Sequence, residues 1–251
     1  MAKLDDIVTH LDRHLKVAQI PDYPGALNGL QLRGEGSVRK VIAAVDAALP
    51  VVCSAVEAGA DLLVVHHGMF WGGAQKIDGA YYDKLKLAMD AGLAIYSCHI
   101  PLDVHPRLGN NALLGKAIGL TKSEPFFEWK GILLGQRYTT QLRRDALVKK
   151  VEKAVGGPVI VAPGGPATVR SVGVITGGAG SEVAAAAACG VDTFITGEGP
   201  HHTYTLAEEL GVNLIYAGHY ATETFGVKAL AAHLAKKYSL KQEFIDHPTG
   251  L

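Results

Sequence analysis

The chain has no surplus of either charge: 24 Lys and Arg stand against 24 Asp and Glu in 251 residues. Such a balance makes no basic field to draw phosphate backbones or anionic lipid, so neither a nucleic acid nor a membrane is the expected partner. A locally basic run at 141–150, "QLRRDALVKK", reads as a solvated helix face. No apolar run approaches the ~18–20 residues that cross a bilayer. The opening "MAKLDDIVTHLDRHLKV" mixes charged with apolar residues and lacks the apolar centre of a signal peptide. Cysteine is scarce: Cys53, Cys98 and Cys189 are widely spaced and form no C-x-x-C, which argues against a disulfide framework or a zinc knuckle. Each reads as a small buried hydrophobe, and a reducing cytoplasm is the expected location. No G-x-S-x-G occurs, and Cys98 beside His99 has no evident third partner, so serine and cysteine nucleophiles find no support. With 48% hydrophobic residues the chain can bury the core of one large domain or of two small lobes. Histidine is what it has in quantity, 11 residues with several clustered.

The chain also repeats itself. Residues 41–67, "VIAAVDAALPVVCSAVEAGADLLVVHH", and residues 172–198, "VGVITGGAGSEVAAAAACGVDTFITGE", both read as strand, Ala-rich helix, strand. In each a helix-ending glycine, Gly59 or Gly190, precedes an aspartate, Asp61 or Asp192. Further on, "GLAIYSCH" matches "GVNLIYAGH", and the openings "GLQLRG" and "PVIVAPG" correspond. The expected fold is α/β: two pseudo-symmetric β/α lobes, roughly 1–126 and 127–251, with the aromatic stretch "TKSEPFFEWKG" as the join. Near-continuous apolar strands alternating with helices predict mixed, mostly parallel sheets. Ligands of such sheets gather beyond the carboxyl ends of the strands, and a pseudo-twofold arrangement would bring two such edges face to face around a cleft.

The histidines fall at those edges. "LLVVHHGMFWGG" ends a strand on His66 and His67. Neighbours on a regular strand point to opposite faces, so a shared site requires the chain to turn, and Gly68 supplies the freedom. "AIYSCHIPLD" and "LIYAGHYATE" each carry a His with a carboxylate four residues later: His99 with Asp103, and His219 with Glu223. In a helix that spacing puts both side chains on one face, as in metal-binding H-E-x-x-H motifs. Pro101 is expected to hold Ile100 extended, which separates His99 from Asp103. His66, His67, Asp103, His219 and Glu223 together supply three imidazoles and two carboxylates. With one carboxylate shared, two divalent ions ~3.5–4 Å apart would keep positions open for water. Nitrogen and oxygen donors without thiolate suit Zn, Mn, Fe, Co or Ni.

Three histidine or carboxylate positions have a second reading. His99 is either a nearby acid–base group or a buried, satisfied histidine. Glu198, the repeat counterpart of His67, and His202 are either a general base or a hydrogen-bonding support for a ligand, or polar residues of a loop before a helix. Gly177, Gly178, Gly180 and Ser181 stand between strand and helix, where backbone N–H groups can cradle a phosphate, but they complete no phosphate-loop pattern and also suit a tight turn. Asn28 and Gln31 in "LNGLQLRG" read as residues that tie down a loop.

The segments "NGLQ", "AGADLLVVHHGMFW", "IYSCHIPLD", "TGE" and "GHYATETFGV", in this order and spacing, resemble the Nif-three-like family. Its members are also labelled GTP cyclohydrolase I type 2 homologues or dinuclear-metal-centre hexameric proteins. The resemblance covers essentially the whole chain. It implies a toroidal homohexamer with two metal ions per subunit between the lobes. Matched residue by residue, His66 and His219 correspond to ligands of one ion, His67 and Asp103 to ligands of the other, and Glu223 to the bridge. Two features depart from the family pattern. "GMFWGG" stands where many members carry a Pro-containing "HHPLIF"-type run, and the large domain that some members insert between the lobes is absent.

The expected function is metal-dependent hydrolysis, GTP cyclohydrolase I type 2-like by resemblance. A metal-activated water attacks a small nucleotide-like or phosphorylated substrate, with Glu198, His99 or His202 moving protons. The alternative is a non-catalytic metal-binding or regulatory ring.

Overall fold

Continuous runs of β-branched and small apolar residues build the first sheet. "KVIAAVD" forms the strand Lys40–Asp46, "LLVVHH" the strand Leu62–His67 and "AIYS" the strand Ala94–Ser97, paired parallel with Val41 opposite Leu62 and Leu62 opposite Ala94. Helices cover both faces of a parallel sheet, so both faces select apolar side chains. Accordingly no residue from Val41 to Val45 or from Leu62 to Val65 is more than 2% exposed. Gly29–Leu32 joins antiparallel beside Ala94–Ser97, and Lys241–Phe244 joins parallel beside Lys40–Asp46, completing five strands. The helix Leu49–Glu57 packs Val51, Val52 and Ala55 onto Ile42, Leu63 and Ile95. It ends at Gly59 with φ of 68°, a left-handed position that glycine adopts without a Cβ penalty.

The second sheet follows the same plan. Thr168–Val174, Thr193–Thr196 and Asn213–Tyr216 pair parallel, with Val172 opposite Thr193 and Thr193 opposite Asn213, and Ile160–Pro163 joins antiparallel at the edge. The Ala-rich helix Val183–Ala188 again closes through a left-handed glycine, Gly190, with φ of 81°. The expected repeat is therefore visible as one strand order written twice, and the mixed, mostly parallel α/β architecture is present.

At the far edge the second sheet is completed by an antiparallel hairpin, Ser123–Trp129 with Ile132–Arg143. The stretch expected as a turn-rich join is thus the hairpin's first strand. Its alternation is masked because Phe126 and Phe127 are both buried, with Phe127 twisted to φ of 67°. The reversal at Lys130 and Gly131, both at positive φ, has the two-residue geometry that suits a twisted hairpin.

The computed structural model describes all 251 residues. By packing they sort into two compact units, Met1–Leu102 with Gly226–His247, and Asp103–Phe225 with Pro248–Leu251. The sequence repeat follows chain order, whereas packing does not, because the late strand Lys241–Phe244 belongs to the first sheet. No helix is long and apolar enough to cross a membrane.

Candidate metal centre

His66 and His67 are the last two residues of their strand, at its carboxyl end. Their rings nevertheless lie on neighbouring sides, with centroids 4.9 Å apart. Gly68 is needed for a close approach: a Cβ there would fall 2.2 Å from the Gln31 amide. Gln31 is the tie expected of it. Its Nε2 donates to the carbonyl oxygens of Ala26 and Leu27, and its Oε1 accepts from the Met69 N–H at 2.7 Å.

His99 completes this group. His66, His67 and His99 each offer a donor nitrogen, and the three atoms lie within 4.8 Å of one another. Each ring is held by its other nitrogen. Nδ1 of His66 meets the Cys98 carbonyl oxygen at 3.0 Å, that of His67 meets Asp46 Oδ1 at 2.8 Å, and that of His99 meets Asp22 Oδ1 at 2.8 Å. A carbonyl or carboxylate can only accept, so Nδ1 carries the hydrogen and the Nε2 lone pair is presented. This is the support that metal-binding imidazoles ordinarily receive.

Asp22 is itself secured. It accepts from the Tyr23 and Ile100 N–H groups and from Asn28 Nδ2, while Asn28 Oδ1 accepts from the His99 N–H at 2.7 Å. Burial works against its charge, but His99, Asn28 and the Tyr23 N–H together hold its carboxyl below the usual range. Asn28 therefore positions His99 as well as its own loop.

In the second unit, His219 opens the helix His219–Tyr238, and Glu223 follows one turn later on the same face, with Nε2 3.3 Å from Oε2. Nδ1 of His219 meets Glu198 Oε1 at 2.8 Å. Burial opposes a charge on His219, yet Glu223 and then Glu198 outweigh it and push the imidazole up to about 9. A ring flanked on both nitrogens by carboxylates holds a proton where a divalent cation can take its place, so the donor chemistry fits a metal ion.

The glycine-rich loop presses on this pair. Gly177 has φ of 72°, and a Cβ there would fall 2.2 Å from Glu223 Oε1. A Cβ at Gly180 would meet Gly199 Cα at 2.5 Å. These glycines thus permit close backbone approach, the tight-turn role, and no phosphate contact is needed to account for them.

Asp103 closes a single helical turn, Ile100–Asp103, where Ile100 was expected to stay extended. Pro101 sits in the first turn, which needs no backbone N–H, so it starts the turn instead of preventing it. Asp103 Oδ1 accepts from Asn110 Nδ2 at 2.8 Å and faces Thr176 Oγ1 at 3.4 Å. His202 is exposed at the head of the helix His202–Glu209, and no hydrogen bond joins its ring to any donor. Sequence reasoning missed Asp22, Asp46, Asn110 and Thr176. Only Asp46 carried a signal, as an acid at the carboxyl end of an apolar strand.

The family model for Duf34/NIF3 (NGG1p interacting factor 3) matches residues 2–249. A Deinococcus radiodurans protein named GTP cyclohydrolase 1 type 2 homolog is 41% identical over 98% of this chain and 94% of its own length. A Halobacterium salinarum protein of the same name is 41% identical over 99% of both chains. The crystal structure of a Thermus thermophilus protein, TTHA1606, superposes with a TM-score of 0.90 at 38% identity, covering all of both chains. The chain belongs to the Duf34/NIF3 (NGG1p interacting factor 3) family.

Proposed function

We propose that the protein is a metal-dependent hydrolase acting on a small nucleotide-like or phosphorylated molecule. In this reading His66, His67, Asp103, His219 and Glu223 hold two divalent ions, and Glu223 is shared between them. The observation that carries it is the orientation of His66, His67 and His99, each fixed through Nδ1 so that Nε2 is offered. Structural support alone does not require three neighbouring imidazoles held in one tautomer. Imidazole and carboxylate donors without thiolate fit Zn, Mn, Fe, Co or Ni.

Bound there, such ions supply Lewis acidity and make water a nucleophile near neutral pH. The chain's own groups do the rest. His99, steadied by Asp22, holds or moves a proton at Nε2. Glu198 orients His219. His202 enters only if the substrate reaches it, because its ring meets none of these groups. The name borne by the Deinococcus and Halobacterium relatives makes GTP the first substrate to assay. Assembly as a toroidal homohexamer belongs to the same proposal, and mass photometry tests it directly.

The test pairs metal analysis with turnover of metal-loaded protein against GTP, phosphoesters and cyclic amides. Turnover lost in Glu223→Ala supports the reading, and turnover that persists removes these residues from the mechanism. Stoichiometric metal with no turnover across the panel favours the rival reading, a ring whose ions serve structure or regulation.

A further inference from the structure

Two aromatic side chains stand exposed over the first donor group, and the function proposed above gives them no role. Trp71 is 39% and Tyr23 47% exposed. The Trp71 ring lies 4.8 Å from His99 and 5.5 Å from His67, nearly perpendicular to both. Tyr23 lies 6.1 Å from His99 and 6.4 Å from Trp71. Small-molecule sites pair aromatic side chains with a few fixed polar groups, and exposed rings offer faces on which a flat ligand can stack.

The rings are also held in advance. Gly25 abuts the Trp71 backbone, where a Cβ would come within 3.1 Å of Trp71 Cα and of the Phe70 carbonyl oxygen, so the two ring-bearing loops touch. Asp22 binds the Tyr23 N–H and the His99 ring through the same oxygen. Gln31 joins the Met69 N–H to the Ala26 carbonyl. Asp22, which aims the His99 ring, therefore also holds the backbone that carries Tyr23.

We propose that Tyr23 and Trp71 form a stacking subsite for a planar nitrogen heterocycle, which places the substrate's ring beside the His66–His67–His99 donors. The inference rests on the metal-centre reading and narrows it: the substrate is ring-bearing and nucleotide-like, and a bare phosphoester is not what these faces select. Stacking on an aromatic side chain is worth enough that losing it weakens binding by roughly tenfold or more.

The chain contains two tryptophans, Trp71 and Trp129. Trp129→Phe leaves Trp71 as the sole indole reporter, and its fluorescence is titrated with guanosine, adenosine, cytidine, GTP and inorganic triphosphate in metal-loaded and metal-free protein. Saturable quenching by guanosine and GTP but not by triphosphate is expected. In a separate calorimetric titration with Trp129 intact, Trp71→Ala should weaken guanosine binding at least tenfold and Trp71→Phe should restore most of it, with thermal unfolding confirming that each variant folds. Equal quenching by triphosphate overturns the proposal. So does the absence of saturable quenching by guanosine, adenosine and cytidine up to millimolar concentration with metal content intact. Failure of the hydrolase reading appears elsewhere, as full metal and clear stacking without turnover.

Discussion

Nδ1 of His67 lies 2.8 Å from Oδ1 of Asp46, across two parallel strands whose ladder ends with these two residues opposite one another. The carboxylate fixes the tautomer of the ring, and without it the imidazole is free to place its proton on either nitrogen. Asp46→Ala should therefore weaken metal binding about 10–100-fold while leaving the fold intact. Metal titration monitored by competition with a chromophoric chelator checks this. Unchanged affinity would mean that His67 does not reach an ion.

His219 gives a pH dependence whose sign is fixed. Its folded-state pKa of about 9 lies above the ordinary 6.5. In metal-free protein the bound proton stabilises the fold fully below pH 6.5, and that contribution is lost as pH rises towards 9. The loss is on the order of 2 kcal/mol, and Glu223→Gln should remove most of it. Because a metal must displace the same proton, apparent metal affinity should rise with pH over this window. Denaturant unfolding and metal titration between pH 6 and 9 test both statements.

Much of both donor groups was legible in the sequence. The tandem His66–His67, and His219 with Glu223 four residues on, declare themselves by residue type and spacing, and the internal repeat carries the strand order of both sheets. What supports these residues was not legible. Asp22 lies 77 positions from His99 and Asp46 lies 21 from His67, and nothing local marks either pairing. Pro101 misled because the rule for the residue before proline competes with proline's fitness for a first helical turn. The hairpin from Ser123 was hidden because a twist at Phe127 buries two successive rings and breaks the alternation that identifies strands.

Gly177 can be tested by one methyl group. Its φ of 72° penalises any side chain, and a Cβ would fall 2.2 Å from Glu223 Oε1. Gly177→Ala should cost about 1–3 kcal/mol and displace the Glu223 carboxylate. Calorimetry should record a fall in Tm of several degrees, and metal content should fall with it. A variant with wild-type Tm and full metal would contradict the packing described for the loop.

A second histidine group, away from the donors, sets an acid limit. His10 Nε2 lies 2.8 Å from His233 Nε2, and the His14 ring lies parallel to that of His233 at 4.7 Å. One proton suffices for the His10–His233 bond, and further protons meet positive neighbours. Burial first, then Lys237, His233, His14 and Arg13, push His10 down to about 4. With a folded-state pKa below the ordinary 6.5, its contribution is present above pH 6.5 and is lost as pH falls towards 4. Solvent screening at this partly open site keeps the effect to about 1 kcal/mol. His10→Phe should flatten the acid limb of a stability–pH curve measured by urea unfolding, whereas an unchanged limb would assign it to other groups.

The strand Lys241–Phe244 lies parallel beside Lys40–Asp46, some two hundred positions earlier in the chain. During synthesis the sheet that ends in His66 and His67 stays one strand short until Lys241–Phe244 has left the ribosome. Maturation of the first imidazole group is thereby deferred until the residues past Phe244 have been made. Loss of the chain from Lys241 onward would leave Lys40–Asp46 as an open sheet edge, so damage some two hundred residues away acts on the strand that neighbours His66 and His67.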